Sequence, residues 1–447
     1  MTSDRTAPVR FTAASAIAVA LALVWWPGGS PRAAGGGPPI SQELHSRAAR
    51  DGHVRVIVEV NLPTDRFVPE ASLPNATAVI SQRRAINVAV QRVMSRLTSG
   101  QRVMHRYQTV PYLALDLTPD ALAALESSPG DIVRVMDDAI VRPVLADSVP
   151  LIEGDQAWNA GYDGTGTMIA LLDTGVDSTH PFLAGKVTEE ACFSSNVSGT
   201  SVSFCPNGLA QQTGPGSAVP CPLSDCIHGT HVAGIAAGNG APAGQSFSGV
   251  AKGASLMAVQ VFSEITNVFS CGGVAPCAGA FTSDIIAGLE YVYAAAGTHN
   301  IASVNMSLGG GLFTPPCDDQ PYKPIIDNLR ALGIATTVAS GNDGSTSQLA
   351  SPACVSSAVS VGSTDKTDVV SWFSDVAPSL SLFAPGENIT SSVPGGLYEA
   401  LSGTSMAAPH VAGTFAIMKQ AVPGASVDTI LQALQQNGLP IQDTRLS

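Results

Sequence analysis

Three side chains that together could break an acyl bond are spread along this 447-residue chain: Asp173, His228 and Ser405. A serine hydroxyl is a weak nucleophile until a neighbouring base removes its proton. An imidazole is the base suited to neutral pH, and a carboxylate fixes its tautomer. Each of the three sits in a segment able to aim it. Ser405 lies in Gly403-Thr404-Ser405-Met406-Ala407-Ala408-Pro409-His410-Val411-Ala412-Gly413, a tight turn entering an Ala-rich helix. A serine there faces unpaired backbone N–H groups and the positive end of the helix dipole, which favour negative charge growing beside it. His228 opens His228-Gly229-Thr230-His231-Val232-Ala233-Gly234-Ile235, whose small residues let a helix begin close to a sheet. Asp173 ends the apolar run Met168 to Leu172, ahead of Thr174-Gly175. That is the pattern of a buried parallel strand with a functional group at its carboxyl end.

Other chemistries fit these residues less well. Asp-Thr-Gly also marks aspartic proteases, but the chain has no second Asp-Thr/Ser-Gly triplet to supply the partner carboxylate. Two histidines three apart raise the question of a metal, yet the helical metalloprotease pattern needs four-residue spacing and a glutamate after the first histidine. His231 is therefore read as packing beneath its helix. Cys221, Cys226 and His228 could hold zinc, which would take His228 away from any base role.

Together the motifs resemble those of the subtilisin-like (subtilase) serine proteases, over about residues 146–440, and the order Asp, His, Ser is that of subtilisin. The resemblance implies Ser405 as nucleophile, His228 as base and Asp173 as its orienting partner. It implies Asn342, in the strand-to-turn segment Ala335 to Gly344, as a side-chain donor to the oxyanion. It implies that Ser307, Leu308, Gly309 and Gly310 pair with substrate as an added strand. The pocket floor would include Ala350, where relatives often have glycine. Alone, Gly341-Asn342-Asp343-Gly344 and Ser307 to Gly311 are ordinary turn or hairpin signals. Asn305-Met306-Ser307 fits a glycosylation triplet, but a strand position beside this site argues against its use.

Composition fits a large folded body: 45% of residues are hydrophobic and 13% charged. Charge is uneven. Residues 1–145 carry 15 Lys and Arg against 12 Asp and Glu, and residues 146–447 carry 7 against 23. So acidic a body is poorly suited to nucleic acid. All eight cysteines fall between Cys192 and Cys354, pointing to disulfides in an oxidising compartment. Sequential pairing (192/205, 221/226, 271/277, 317/354) is one of 105 connectivities.

At the N-terminus Arg5 and Arg10 precede an apolar run from Phe11 to Trp26, followed by Pro27-Gly28-Gly29-Ser30 and Ala33-Ala34-Gly35. These are the three regions of a secretory signal, here taken as residues 1–35. An uncleaved anchor is the alternative, though the run is shorter than the ~20 residues that span a bilayer. Residues 36–51 read as a polar linker. Residues 52–145 alternate as β-α-β-β-α-β, the ferredoxin-like order. A small-molecule or RNA-binding domain shares that topology, but no aromatic stacking pattern supports it. In subtilases such a domain is an inhibitory, chaperone-like propeptide. Val144-Leu145-Ala146-Asp147-Ser148-Val149-Pro150 resembles the family's processing junction, with the cut between Leu145 and Ala146.

The expectation is therefore a doubly wound, mostly parallel α/β peptidase domain over 146–447, preceded by a small α+β propeptide. It would be secreted, monomeric, held by its own propeptide, and active on proteins or peptides without stable membrane association. No metal or cofactor enters the chemistry. A structural calcium has no located site, because Phe182 stands where many relatives place a carboxylate and Asp147 lacks its partner ligand. Relatives usually continue beyond the helix Val427 to Gln436 through another turn and a short apolar segment, so the end reads as truncated. A transpeptidase or peptide cyclase on the same fold, and a non-catalytic binding protein, are the rival functions.

Overall fold

In the computed structural model, which describes residues 40–445 apart from 63–66, 98, 127–129, 139 and 144–147, the chain opens on helix α1 (Gln42–Asp51). This corrects the linker expected over 36–51. Leu44 and Ala48 lie four residues apart, so one face is apolar; both are buried, and Ser41 caps the helix by accepting the Leu44 N–H. A polar composition hid two anchoring residues. The expected signal peptide lies outside the described residues.

A four-stranded antiparallel sheet follows, built from β1 (Val54–Val60), β2 (Gln101–Arg106), β3 (Tyr112–Leu117) and β4 (Ile132–Asp137), in the order β2-β3-β1-β4. Helices α2 (Ala76–Met94) and α3 (Pro119–Glu126) complete the ferredoxin-like order. Strand β1 is buried almost throughout because both its faces are covered. Val56 and Val58 join the leader core with Ile86 and Leu122, while Ile57 joins the larger core of the following domain, beside Ile285 and Ile286.

The second domain starts with α4 (Gly154–Asn159) and β6 (Met168–Asp173). Then come β7 (Val187–Phe193), β8 (Ser201–Ser203), β9 (Gln211–Thr213), α5 (His228–Ala237) and β10 (Ser255–Gln260). The hairpin β11 (Phe262–Ile265) and β12 (Cys277–Phe281) leads into α6 (Thr282–Ala295). Next are β13 (Ile301–Met306), β14 (Leu308–Phe313), α7 (Lys323–Ala331), β15 (Ala335–Ala339) and β16 (Leu349–Ser351). The chain finishes with β17 (Val359–Thr364), β18 (Leu382–Pro385), β19 (Ile389–Val393), β20 (Leu397–Leu401), α8 (Thr404–Ala421) and α9 (Val427–Asn437).

Eight strands form the main sheet in the order β18-β17-β15-β13-β6-β10-β7-β9, parallel except where β9 meets β7. Its central strand shows why the sequence reads as a continuous apolar run. Ile169 and Leu171 pack toward α5 and α8, and Ala170 and Leu172 toward α6 and α7. This is the expected doubly wound α/β body with a smaller α+β sheet ahead of it.

A further sheet joins the two domains, in the order β16-β14-β5-β12-β11-β8, where β5 (Ile140–Pro143) is the last strand of the leader. Four disulfides link Cys192–Cys205, Cys221–Cys226, Cys271–Cys277 and Cys317–Cys354. Sequential pairing is thus what the structure contains. Zinc held by Cys221 and Cys226 is overturned, since their sulfurs are bonded to each other.

Candidate active site

The site gathers at the carboxyl end of the main sheet. Asp173 is the last residue of β6, and its Oδ1 accepts the Thr174 N–H at 2.7 Å and His228 Nδ1 at 2.7 Å. Because the carboxylate accepts at Nδ1, the imidazole carries its proton there, leaving Nε2 as the basic nitrogen. Asp173 and His228 are each 1% exposed, so water competes little for this bond. Two glycines let the elements approach. A Cβ at Gly229 would stand 2.2 Å from the Gly175 carbonyl oxygen and 3.1 Å from Asp173 Oδ1. Gly175, at φ +95°, has no room for a side chain against the Val219 carbonyl.

The remaining site histidines are structural in position. His231 Nε2 faces the carbonyls of Ile389 and Glu399 at 3.1 Å, and burial pushes its pKa down to about 3. His410 Nδ1 donates to the Met406 carbonyl at 2.7 Å, and burial lowers it to about 4.

Ser405 is the second residue of α8, after Gly403, which offers the helix no side-chain cap. Its Oγ lies 3.2 Å from the Ser307 carbonyl. Pro409, four residues on, lacks the N–H that would normally bond the Ser405 carbonyl. Ser307 Oγ supplies that bond instead, and Asn305 Nδ2 holds Ser307 Oγ at 2.9 Å. Sequence reasoning assigned Ser307 to substrate and missed this role; a proline four residues after the serine was the signal. Asn342 lies on the turn after β15. Its Oδ1 accepts the Thr404 N–H at 2.9 Å and faces Thr404 Oγ1 at 3.3 Å, which makes the amide nitrogen the donor end of the side chain.

Beside Ser405 opens a cleft of about 280 Å³ lined by Leu308, Gly309, Gly310, Asn342 and Ala350 among others. The cleft thus places Leu308, Gly309, Gly310, Asn342 and Ala350 beside Ser405, Ser307 is bonded to Ser405, and Asp173 and His228 form a pair of their own. A wider cleft of about 460 Å³, lined by Pro220, Cys221, Ile227 and Pro394, contains none of Asp173, His228 and Ser405. Two strands of the second domain flank leader strand β5. On one side β14 pairs antiparallel with leader strand β5, Leu308 opposite Pro143 and Gly309 opposite Arg142. On the other, β12 pairs with the same strand, Ala280 opposite Val141 and Phe281 opposite Ile140. The second rail was missed from sequence, although Ala278-Gly279-Ala280 is a run small enough for close backbone approach. Leu145 and Ala146 lie outside the described residues.

The leader also docks on α6. Asp138 accepts the Ser283 N–H at 2.5 Å and Arg55 Nε at 2.7 Å, both side chains buried. His105 Nε2 donates to Asp284 at 2.9 Å, and Tyr107 donates to the Ser283 carbonyl at 2.8 Å. Further along, the Thr109 N–H donates to Glu290, whose carboxyl is pushed up by burial.

Residues 164–445 match the profile of the Subtilase family. An alkaline protease of Alkalihalobacillus alcalophilus is 32% identical over 384 residues, covering 85% of this chain and 84% of that protein. Subtilisin E of Bacillus subtilis (strain 168) is 34% identical over 326 residues, 71% of this chain and 73% of its own. Subtilisin Savinase of Lederbergia lenta is 34% identical over 305 residues, 67% and 95% respectively. A solved cold adapted subtilisin-like serine proteinase is 30% identical, covers 64% of this chain and 87% of its own, and superimposes with a TM-score of 0.46.

Proposed function

The chain belongs to the subtilase family of serine proteases, and from that premise we propose a secreted endopeptidase, made as a self-processing zymogen, that turns over through Ser405, His228 and Asp173. Ser405 Oγ attacks the scissile carbonyl while His228 Nε2 takes its proton. Asp173 holds the imidazole's tautomer and stabilises the imidazolium. The tetrahedral oxyanion receives the Asn342 amide and the Ser405 N–H. The C–N bond then breaks, the leaving amine takes the proton from His228, and water releases the acyl group by the reverse steps.

The observation that carries this reading is strand β5. It ends just before the expected junction, paired between β14 and β12 in the manner of a bound peptide. The main chain of a substrate would follow the same path, presenting the side chain before the scissile bond to the cleft above Ala350. A leader attached to the body competes for this place at high effective concentration, so it serves as inhibitor and as first substrate. The cut falls between Leu145 and Ala146, and the cleft takes apolar side chains of medium size. The four disulfides and the signal-like residues 1–35 support export. The enzyme works as a monomer, and no metal takes part in the chemistry.

Expression of the full chain beside Ser405→Ala tests the reading. Wild type should cleave casein and yield a mature N-terminus at Ala146, and the variant should do neither. A mature chain starting more than a few residues away, or an unchanged cut in Ser405→Ala expressed alone, excludes self-processing at this bond.

A further inference from the structure

Behind the turn that carries Asn342 lies a carboxylate the mechanism does not use. Asp375 is fully enclosed, and its Oδ1 accepts the N–H groups of Asp343 at 3.1 Å and Ser345 at 2.7 Å. The Asp375 N–H donates back to the Gly341 carbonyl at 3.0 Å, Gly344 N–H to Phe373 at 2.7 Å, and Val376 N–H to Ser345 at 2.8 Å. Residues 373–376 therefore grip residues 341–345 on both sides of Asn342, while Thr404 holds the Asn342 side chain from the front.

The arrangement is a costly one. Asp375 Oδ2 is buried with no hydrogen-bond partner among the described residues, and a Cβ built on Gly341 would stand 2.1 Å from it. Gly341 itself sits at φ +115°, a conformation other residues rarely adopt. Burial pushes the Asp375 carboxyl up to about 6, Asp343 adding to the rise and Arg445 opposing it. It is thus an anion at neutral to alkaline pH, and an anionic acceptor makes the stronger hydrogen bonds. From outside, Arg445 pairs with Asp443 at 2.7 Å and donates to the carbonyls of Ser371, Trp372 and Ser374 at 3.3, 3.1 and 2.9 Å. A buried carboxylate oxygen without a partner is a cost that its surroundings must offset, and such costs collect beside functional groups.

We propose that Asp375 is a positioning residue for oxyanion stabilisation: its carboxylate fixes the Gly341–Ser345 turn so that the Asn342 amide is preorganised beside Ser405, with Arg445 bracing the supporting turn. The proposal rests on Asn342 being the oxyanion donor. Preorganisation of this kind acts on kcat, because the donor's bond strengthens in the transition state.

A double-mutant cycle of Asp375→Asn and Asn342→Ala, with kcat counted per site titrated by a fluorophosphonate, tests it. Asp375→Asn alone should lower kcat roughly tenfold with KM changed less than about twofold. In the Asn342→Ala background the same substitution should change kcat by less than about twofold. Equal losses in both backgrounds, or no loss in the first, overturn the positioning role while leaving Asn342 as donor. No loss in Asn342→Ala alone removes the donor reading, and this proposal with it. Arg445→Met leaves the carboxylate in place and should show a smaller loss of the same coupled kind; should Asp375→Asn not fold, this variant decides by the same criteria.

Discussion

Five helices of the second domain, α4 to α8, begin without a side-chain cap of their own, and the chain puts two of these open ends, those of α8 and α6, to different use. At α8 the residue before the helix is Gly403, and Ser405 stands in the first turn. A cap from the helix's own side chains would occupy the space where negative charge must develop, so the free N–H groups and the dipole remain available to a reacting carbonyl. At α6 the residue before the helix is Phe281, and the missing cap comes from another domain: Asp138 of the leader accepts the Ser283 N–H. One end is kept open for an anion that would form during reaction, and the other is closed by a carboxylate of the leader. An uncapped helix start can therefore mark either a reaction site or a docking site. What separates them here is Ser405, the proposed nucleophile, in the first turn of α8 and the buried Arg55–Asp138 pair against α6.

The sharpest way to break this comparison is to alter the α8 end. Ser405→Ala should abolish fluorophosphonate labelling and casein cleavage, leaving no burst of acyl-enzyme. Asn342→Ala should lower kcat by about a hundredfold or more with KM little changed, the size of loss known for this donor in subtilisin. An equal loss of affinity for an uncleaved peptide would instead make Asn342 a binding or folding residue.

Altering the α6 end should leave catalysis intact. Asp138→Ala removes a helix cap, worth ~1 kcal/mol. It also leaves Arg55, 4% exposed, without its carboxylate at 2.7 Å. Breaking a buried pair typically costs about 3–5 kcal/mol, and Asp284 Oδ1, 4.0 Å from Arg55, is the more distant carboxylate that remains. The yield of mature enzyme from the full chain should fall roughly tenfold or more by that measure, while kcat per titrated site stays the same. A fall in kcat per site would mean that α6 and α8 are not independent.

Acid should separate the two ends again. His231 and His410 lie buried in α5 and α8, lowered to about 3 and about 4, whereas α6 contains no histidine. Both are neutral in the folded state, so their contribution is whole above the unfolded value near ~6.5 and is lost as pH falls toward the folded values. For His410 this amounts to ~3 kcal/mol at most. Asp375 works in the opposite sense: held up at about 6, its buried charge is relieved on acidification. The two histidines should therefore lower Tm between pH ~6.5 and ~4, against the opposing sense of Asp375 and of Glu290, whose carboxyl burial also pushes up. His410→Gln, which cannot charge, should flatten the drop in differential scanning calorimetry. An unchanged slope would place the acid-sensitive groups elsewhere.

Much of the body was legible before folding because its signals are local. A buried parallel strand ending in Asp, a small-residue helix start after His and a Gly-Thr-Ser turn each need only a few consecutive residues. The leader's strands and helices showed for the same reason, through periods of two and of three to four. The sequence did not show what depends on distant partners. Helix α1 has just Leu44 and Ala48 as buried anchors in a polar segment, so its burial depends on a core built from later residues. Strand β12 became recognisable as the second rail only once β5 lay against it. Asp375 drew no reading from the sequence, because nothing near it in the chain announces the loop 30 residues earlier that it holds.

The smallest effect concerns the floor of the cleft. Ala350 is 3% exposed, and its methyl lies 3.2 Å from a Cβ built on Gly309 and 3.0 Å from one built on Gly341. It therefore stands between the two glycine walls, where a substrate ring would have to enter. Removing that methyl deepens the cleft without touching Ser405, Asn342 or either helix end. Ala350→Gly should raise kcat/KM for peptides with Phe before the scissile bond relative to Leu by roughly fivefold, or ~1 kcal/mol, the usual worth of one methyl group in an apolar pocket. The preference for Leu should weaken mainly through the gain with Phe, since a smaller side chain already fits. Competition between paired Phe and Leu peptides, read by product masses, measures the ratio directly. A ratio unchanged by the substitution would put the floor of the cleft elsewhere, and a matching loss for both peptides would show that losing the Ala350 methyl lets the neighbouring strand shift instead.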